Sequence, residues 1–161
     1  MPTILILCTG NYCRSPLAEA LTRFRLKQAN IDQSISVGSA GITANYEGFP
    51  PARRVVEVLT ELGITGSIRR PHLVRPDELT TARLILGVAR EHVDWVKHNY
   101  PEASDRTSLL TSLIGETWDI FDPGVHDLNL LRTCRDTIDR VIVRGLPELI
   151  RRVQSRADLI E

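Results

Sequence analysis

Apolar positions in this chain fall alternately into short runs and helical stripes. Thr3 to Leu7 is a brief run, too short for a helix and apolar at both parities, which predicts a strand buried on both faces. A turn containing Gly10 follows, and then Leu17, Leu21 and Phe24 recur at helical spacing. Ser15 is placed to cap that helix, with Pro16 at its first position. Ser34 to Ser39 alternates around Ile35 and Val37 as a second strand, and Ser39-Ala40-Gly41 opens a loop through Pro50 and Pro51. Val55, Val56, Leu59 and Leu62 make another helical face, closed by Gly63. Loop and a short turn are expected through Arg75 and Pro76. Leu84 to Leu86 is a third strand, and Glu91 to Asn99 an amphipathic helix that stops before Pro101. Thr107 to Leu113 is expected as a fourth strand. Leu131, Cys134, Ile138, Val141 and Ile142 mark a long last helix, which Gly145 and Pro147 should kink or break.

Strand and helix thus alternate four times. That order predicts an α/β fold: a single three-layer domain over residues 1–161, with a four-stranded parallel sheet and helices on both faces. At 161 residues and 42% hydrophobic, the chain can bury such a core. Twenty basic residues balance twenty acidic ones, so no overall field favours nucleic acid or an anionic membrane, and any affinity for anions must be local. No stretch approaches the roughly 20 apolar residues of a membrane span, and no signal peptide is visible, so membrane insertion is not expected. Three cysteines cannot all pair, which suggests free thiols and a cytoplasmic setting. No spacing of His, Cys and acidic residues suggests a metal site, and no cofactor is expected.

The candidate chemistry lies in the first turn. Ligands of doubly wound folds collect at the carboxyl ends of strands, and Cys8 sits at that place. Thr9, Gly10, Asn11, Tyr12 and Cys13 would offer a row of backbone N–H groups around one point, backed by the positive end of the following helix. Arg14 can add paired hydrogen bonds to phosphate oxygens, and its charge favours a thiolate at Cys8. Gly10 would supply a positive backbone dihedral, Asn11 tolerates the left-handed region, and the Ser15 hydroxyl can reach back to the sulfur. A cysteine with an arginine six positions on is a weak signal alone, since Cys134 and Arg140 match it too. That second pair lies within a helix, where the spacing puts the two side chains on largely opposite faces. Strand, glycine and helix around Cys8 make the difference.

At these residues the sequence resembles the low-molecular-weight protein tyrosine phosphatases, whose motif C-x-G-N-x-C-R-S-P stands complete from Cys8 to Pro16. Ser39-Ala40-Gly41, Leu84 to Leu86 and Asp122-Pro123 match further family segments in order. The resemblance implies a nucleophile at Cys8, a phosphate binder at Arg14 and a general acid and base at Asp122. It also implies a metal-independent hydrolysis of a phosphotyrosine protein or another phosphomonoester, by a monomer or weak dimer. Cys13 would form a reversible disulfide with Cys8, or else be a packed thiol.

The family commonly has an aromatic residue at the position of Asn45 and tyrosine at that of Gly124; Tyr46 and Tyr12 are the residues that could replace them beside a substrate ring. Ala89 stands where members usually carry Asp, and Val88 replaces a common Met. His72, His92 and His126 are expected as loop or packing histidines. Two other functions fit the same cradle. A thiol-coupled arsenate reductase would need further cysteines in a segment after the third strand, where this chain has none, or an approach of Cys134 to Cys8; a phosphate-binding module would bind without turnover.

Overall fold

The computed structural model describes residues 3–31, 33–66 and 68–157. Four strands, β1 (Ile4–Cys8), β2 (Val37–Gly41), β3 (Leu84–Gly87) and β4 (Thr107–Leu109), form one sheet in the order β2-β1-β3-β4, every pair parallel. Helices α1 (Arg14–Gln28), α2 (Arg53–Thr60), α3 (Pro76–Thr81), α4 (Arg90–Asn99) and α5 (Leu128–Ala157) cover it.

Period-two alternation divides β1 between two cores. Ile4, Ile6 and Cys8 pack with Leu17 and Leu21 of α1, Val55 of α2 and Ile138 of α5. Leu5 and Leu7 pack on the other face with Leu79 of α3 and Val96 of α4. All four aliphatic side chains are fully buried, each contributing about 1.5–3 kcal/mol over exposure. The expected three layers are therefore present, and β1 is central because both its parities are apolar. At the sheet's carboxyl end Cys8 lies opposite Gly41, and Leu7 opposite Gly87.

The elements differ from the sequence expectation in four places. The second strand is shifted along the chain, to Val37–Gly41, its ladder to β1 opening where the Ser36 carbonyl accepts the N–H groups of Thr3 and Ile4. Arg75-Pro76 opens helix α3, not a loop: Pro76 takes its first position, and the Glu78 carboxylate accepts the Arg75 N–H at 3.0 Å. The fourth strand ends at Leu109, and residues Leu110–Ile114 form a 3₁₀ turn. There the Ser112 and Thr111 hydroxyls bond to the carbonyls of Leu109 and Trp118, competing with a sheet ladder.

Gly145 and Pro147 do not break the last helix, which runs unbroken from Leu128 to Ala157. Pro147 is exposed, so the carbonyl it leaves without a partner can turn to water. Gly145 is needed for close packing: a Cβ there would lie 2.5 Å from the Leu113 Cβ. A two-pronged ion pair, Arg25 to Asp139 at 2.9 and 2.7 Å, clamps α1 to α5.

Candidate active site

Cys8 ends β1, the chain curls through Thr9 to Cys13, and α1 begins at Arg14. The Cys8 sulfur is buried, and two groups converge on it: the Asn11 N–H at 3.2 Å and the Ser15 hydroxyl at 3.0 Å. The Ser15 oxygen also accepts the Asn11 side-chain amide at 2.9 Å, which leaves its own proton free for the sulfur. Ser15 thus reaches the sulfur as expected, but it is the second residue of α1 and not its cap; the capping position falls on Cys13, which makes no side-chain cap.

Asn11 takes the left-handed conformation, φ 55°, that the turn requires. Its amide also donates to Ser39 Oγ at 3.0 Å, and its Oδ1 accepts the His72 N–H at 3.2 Å. One side chain therefore ties the loop to α1, β2 and the segment before α3. Gly10, expected at a positive dihedral, is not at one. It is there for space: a Cβ would meet Tyr46 Cδ2 at 2.6 Å, so the Tyr46 ring lies directly over it.

Arg14 is buried and donates to the Ile120 carbonyl at 3.0 Å, with Nη2 3.8 Å from Asp122 Oδ2. The Ile120 N–H is held by the Val88 carbonyl at 2.9 Å, and Asp119 accepts the Arg90 N–H at 2.8 Å. These bonds anchor the loop that carries Asp122. The Asp122 side chain is 64% exposed and accepts the Gly124 N–H at 3.0 Å.

A cavity of about 390 Å³ opens over the sulfur, lined by Cys8, Thr9, Gly10, Tyr12, Cys13, Arg14, Tyr46 and Asp122, with Asn45, Gly124, Val125 and His126 completing it. Asn11 and Ser15 stand behind this surface. Tyr12 and Tyr46 are stacked, centroids 4.3 Å apart and planes 12° from parallel, and Phe49 packs edge-on against both. The two tyrosines are therefore one double-thickness wall; a substrate ring would lie against the pair, not between its members.

Two histidines expected as loop residues do more. His92 is wholly buried on α4: its Nδ1 accepts the Ala89 N–H at 3.1 Å, which leaves Nε2 as the protonated nitrogen facing Thr9 Oγ1 at 2.9 Å. Burial, and then the nearby Arg14 charge, push its pKa down to about 4. His92 thus braces the Thr9 to Cys13 loop from β3's end, where Ala89 offers no carboxylate. Its signal was its place at the third position of a helix lacking a capping side chain. His72 joins Glu78 at 2.7 Å while its backbone holds Asn11.

All three cysteines are free and buried, and they belong to one cluster. Burial first, then the neighbouring thiols Cys134 and Cys8, drives the Cys13 pKa up. Cys134 is pushed up to about 12, chiefly by burial, and its thiol faces the Phe121 carbonyl at 3.8 Å. The Cys134 and Arg140 spacing lies inside α5, as its helical pattern predicts. Proximity of Cys134 to Cys8 was not readable from spacing. Among the described residues no group of three His, Cys, Asp or Glu is arranged to hold a metal, and no helix is long and apolar enough to cross a membrane.

Comparison with known proteins gives the family and the fold. The family model for low molecular weight phosphotyrosine protein phosphatase matches residues 3–156. A protein-arginine-phosphatase of Geobacillus stearothermophilus is 34% identical over 142 residues, covering 88% of this chain and 91% of that protein. A probable low molecular weight protein-tyrosine-phosphatase, EpsP, of Ralstonia nicotianae is 31% identical over 147 residues, covering 91% and 95%. The crystal structure of a low molecular weight protein tyrosine phosphatase from T. tengcongensis superimposes with a TM-score of 0.83 at 32% identity, over 90% of this chain and 97% of that one. With the motif, the sheet order and these relatives in agreement, the chain belongs to the low molecular weight phosphotyrosine protein phosphatase family.

Proposed function

We propose that this phosphatase hydrolyses phosphotyrosine in proteins through a phosphocysteine at Cys8. The observation that carries the reading is the convergence of the Asn11 N–H and the Ser15 hydroxyl on the Cys8 sulfur, at the base of a cavity whose other wall holds Arg14 and Asp122. A thiolate at that atom accepts both bonds and attacks phosphorus. The S–P bond forms as the P–O bond to the phenol breaks, and Asp122 gives its proton to the departing oxygen. Water then attacks phosphorus, Asp122 takes its proton, and the S–P bond breaks to release phosphate and the thiolate. Loop amides and Arg14 hold the equatorial oxygens, where charge concentrates as the bonds change.

Two names among the relatives frame the substrate, since one is an arginine phosphatase and another a probable tyrosine phosphatase. The Tyr12 and Tyr46 stack favours the second, because it offers an aromatic face beside the sulfur. Peptides of one sequence carrying either phosphotyrosine or phosphoarginine separate the two. The expected kcat/KM is at least tenfold higher for phosphotyrosine, with Cys8→Ser inactive on both. A preference for phosphoarginine would replace the substrate assignment, and activity retained by Cys8→Ser would end the mechanism.

A further inference from the structure

A second cavity, of about 430 Å³, adjoins the first and shares Tyr12, Val125 and His126 with it. Its outer wall is the first turn of α2, with Arg53 and Arg54, both exposed. Arg54 donates to the His126 carbonyl, which fixes its guanidinium against the loop that carries Asp122. Arg53 has neither hydrogen bond nor ion pair among the described residues, and Arg54 has no acidic partner there. By contrast, Arg132, Arg151 and Arg152 each hold a carboxylate within 2.8 Å. Glu57, one turn along α2, is the opposing charge in the cavity wall and forms no ion pair with either arginine. Two cations thus line a hollow divided from the phosphate cavity by the Tyr12 side chain.

We propose that this hollow is an anion subsite for the residue two positions from the phosphotyrosine of a substrate protein: an acidic side chain or a second phosphate, held by Arg53 and Arg54. The inference rests on the phosphotyrosine reading of the Cys8 cavity. In an extended substrate, side chains two positions apart lie about 7 Å from each other on the same face, and the two cavities are neighbours that share Tyr12, Val125 and His126. Charge beside the mouth discriminates between partners by attraction and by repulsion of the wrong sign.

The test is steady-state kinetics on four peptides that differ only two positions from the phosphotyrosine: Gln, Glu, a second phosphotyrosine, or Lys. The wild type is expected to show KM about fivefold lower for the Glu or doubly phosphorylated peptide than for the Gln one, and higher for the Lys one, with kcat little changed. Arg53→Glu is expected to invert that order, and 0.5 M salt to flatten it. A preference shared by the Glu and doubly phosphorylated peptides identifies negative charge as the determinant; a preference for the second phosphate alone narrows the subsite to phosphate. Equal KM for all four peptides in both proteins would overturn the subsite while leaving the phosphatase reading intact. Hydrolysis of none of the four, with phosphoarginine peptides cleaved, would overturn the underlying reading.

Discussion

The floor and the rim of the active-site cavity are built in opposite ways. On the floor Cys8, Asn11, Arg14 and Ser15 are buried, and each of these side chains has a hydrogen-bond partner, with Asn11 alone bonding to the sulfur loop, α1, β2 and the His72 segment. On the rim Tyr46, Phe49 and Asp122 are about 40–60% exposed, and the two rings pack on Tyr12 and on one another. Buried, fully bonded groups keep one geometry, whereas exposed rings on a loop can be exchanged without disturbing the sheet. Under the proposed function, the difference separates two properties: displacement at phosphorus would belong to the floor, choice of substrate to the rim.

Asp122 is the residue that cuts across this division, since it is exposed like the rim but would act in the chemistry. Asp122→Asn is therefore expected to cost roughly 10²- to 10⁴-fold in kcat on phosphotyrosine peptides, the usual contribution of general acid and base catalysis. A loss below threefold would place Asp122 with the rim and leave the proton to another group. Tyr46→Ala is expected to act more weakly, raising KM about 2- to 10-fold for aryl substrates through loss of the stacked wall. A comparable fall in kcat would show instead that the ring over Gly10 holds the floor in place.

His92 gives the smallest effect, and it concerns stability. Its folded pKa, about 4, lies below the ordinary 6.5, so between those values the unfolded chain binds the extra proton. The stability that His92 contributes is complete above pH 6.5 and is lost as pH falls toward 4. Urea denaturation at pH 7, 6 and 5 should show a steeper loss for the wild type than for His92→Gln. Parallel curves would mean that the ring titrates as freely when folded as when unfolded.

The floor was legible in sequence because its groups are local: Cys8 to Pro16 contains the sulfur, the amides, Arg14 and Ser15 within one strand-turn-helix unit. What each residue does inside that unit was less legible. Ser15 reaches the sulfur as its place in the motif suggests but does not cap the helix, and Gly10, expected at a positive dihedral, instead admits a distant ring. The His92 contact to Thr9 and the placing of Cys134 near Cys8 join segments over 80 residues apart, so no periodicity or spacing could show them. Short elements also escaped: α3 has six residues with Leu79 its one buried apolar side chain, too few to reveal a period. Pro147 misled for a different reason, since a proline on the solvent side of a long helix need not interrupt it.

The central claim, that phosphoryl transfer passes through Cys8, is tested most directly by acid-quenching the enzyme during turnover of a phosphotyrosine peptide and locating the phosphate by mass spectrometry. The account predicts phosphate on the sulfur of Cys8, in a peptide that lacks it when Cys8 is replaced by serine and turnover ceases. Full turnover with no phosphoenzyme at any quench time, or phosphate carried on another residue, would contradict it.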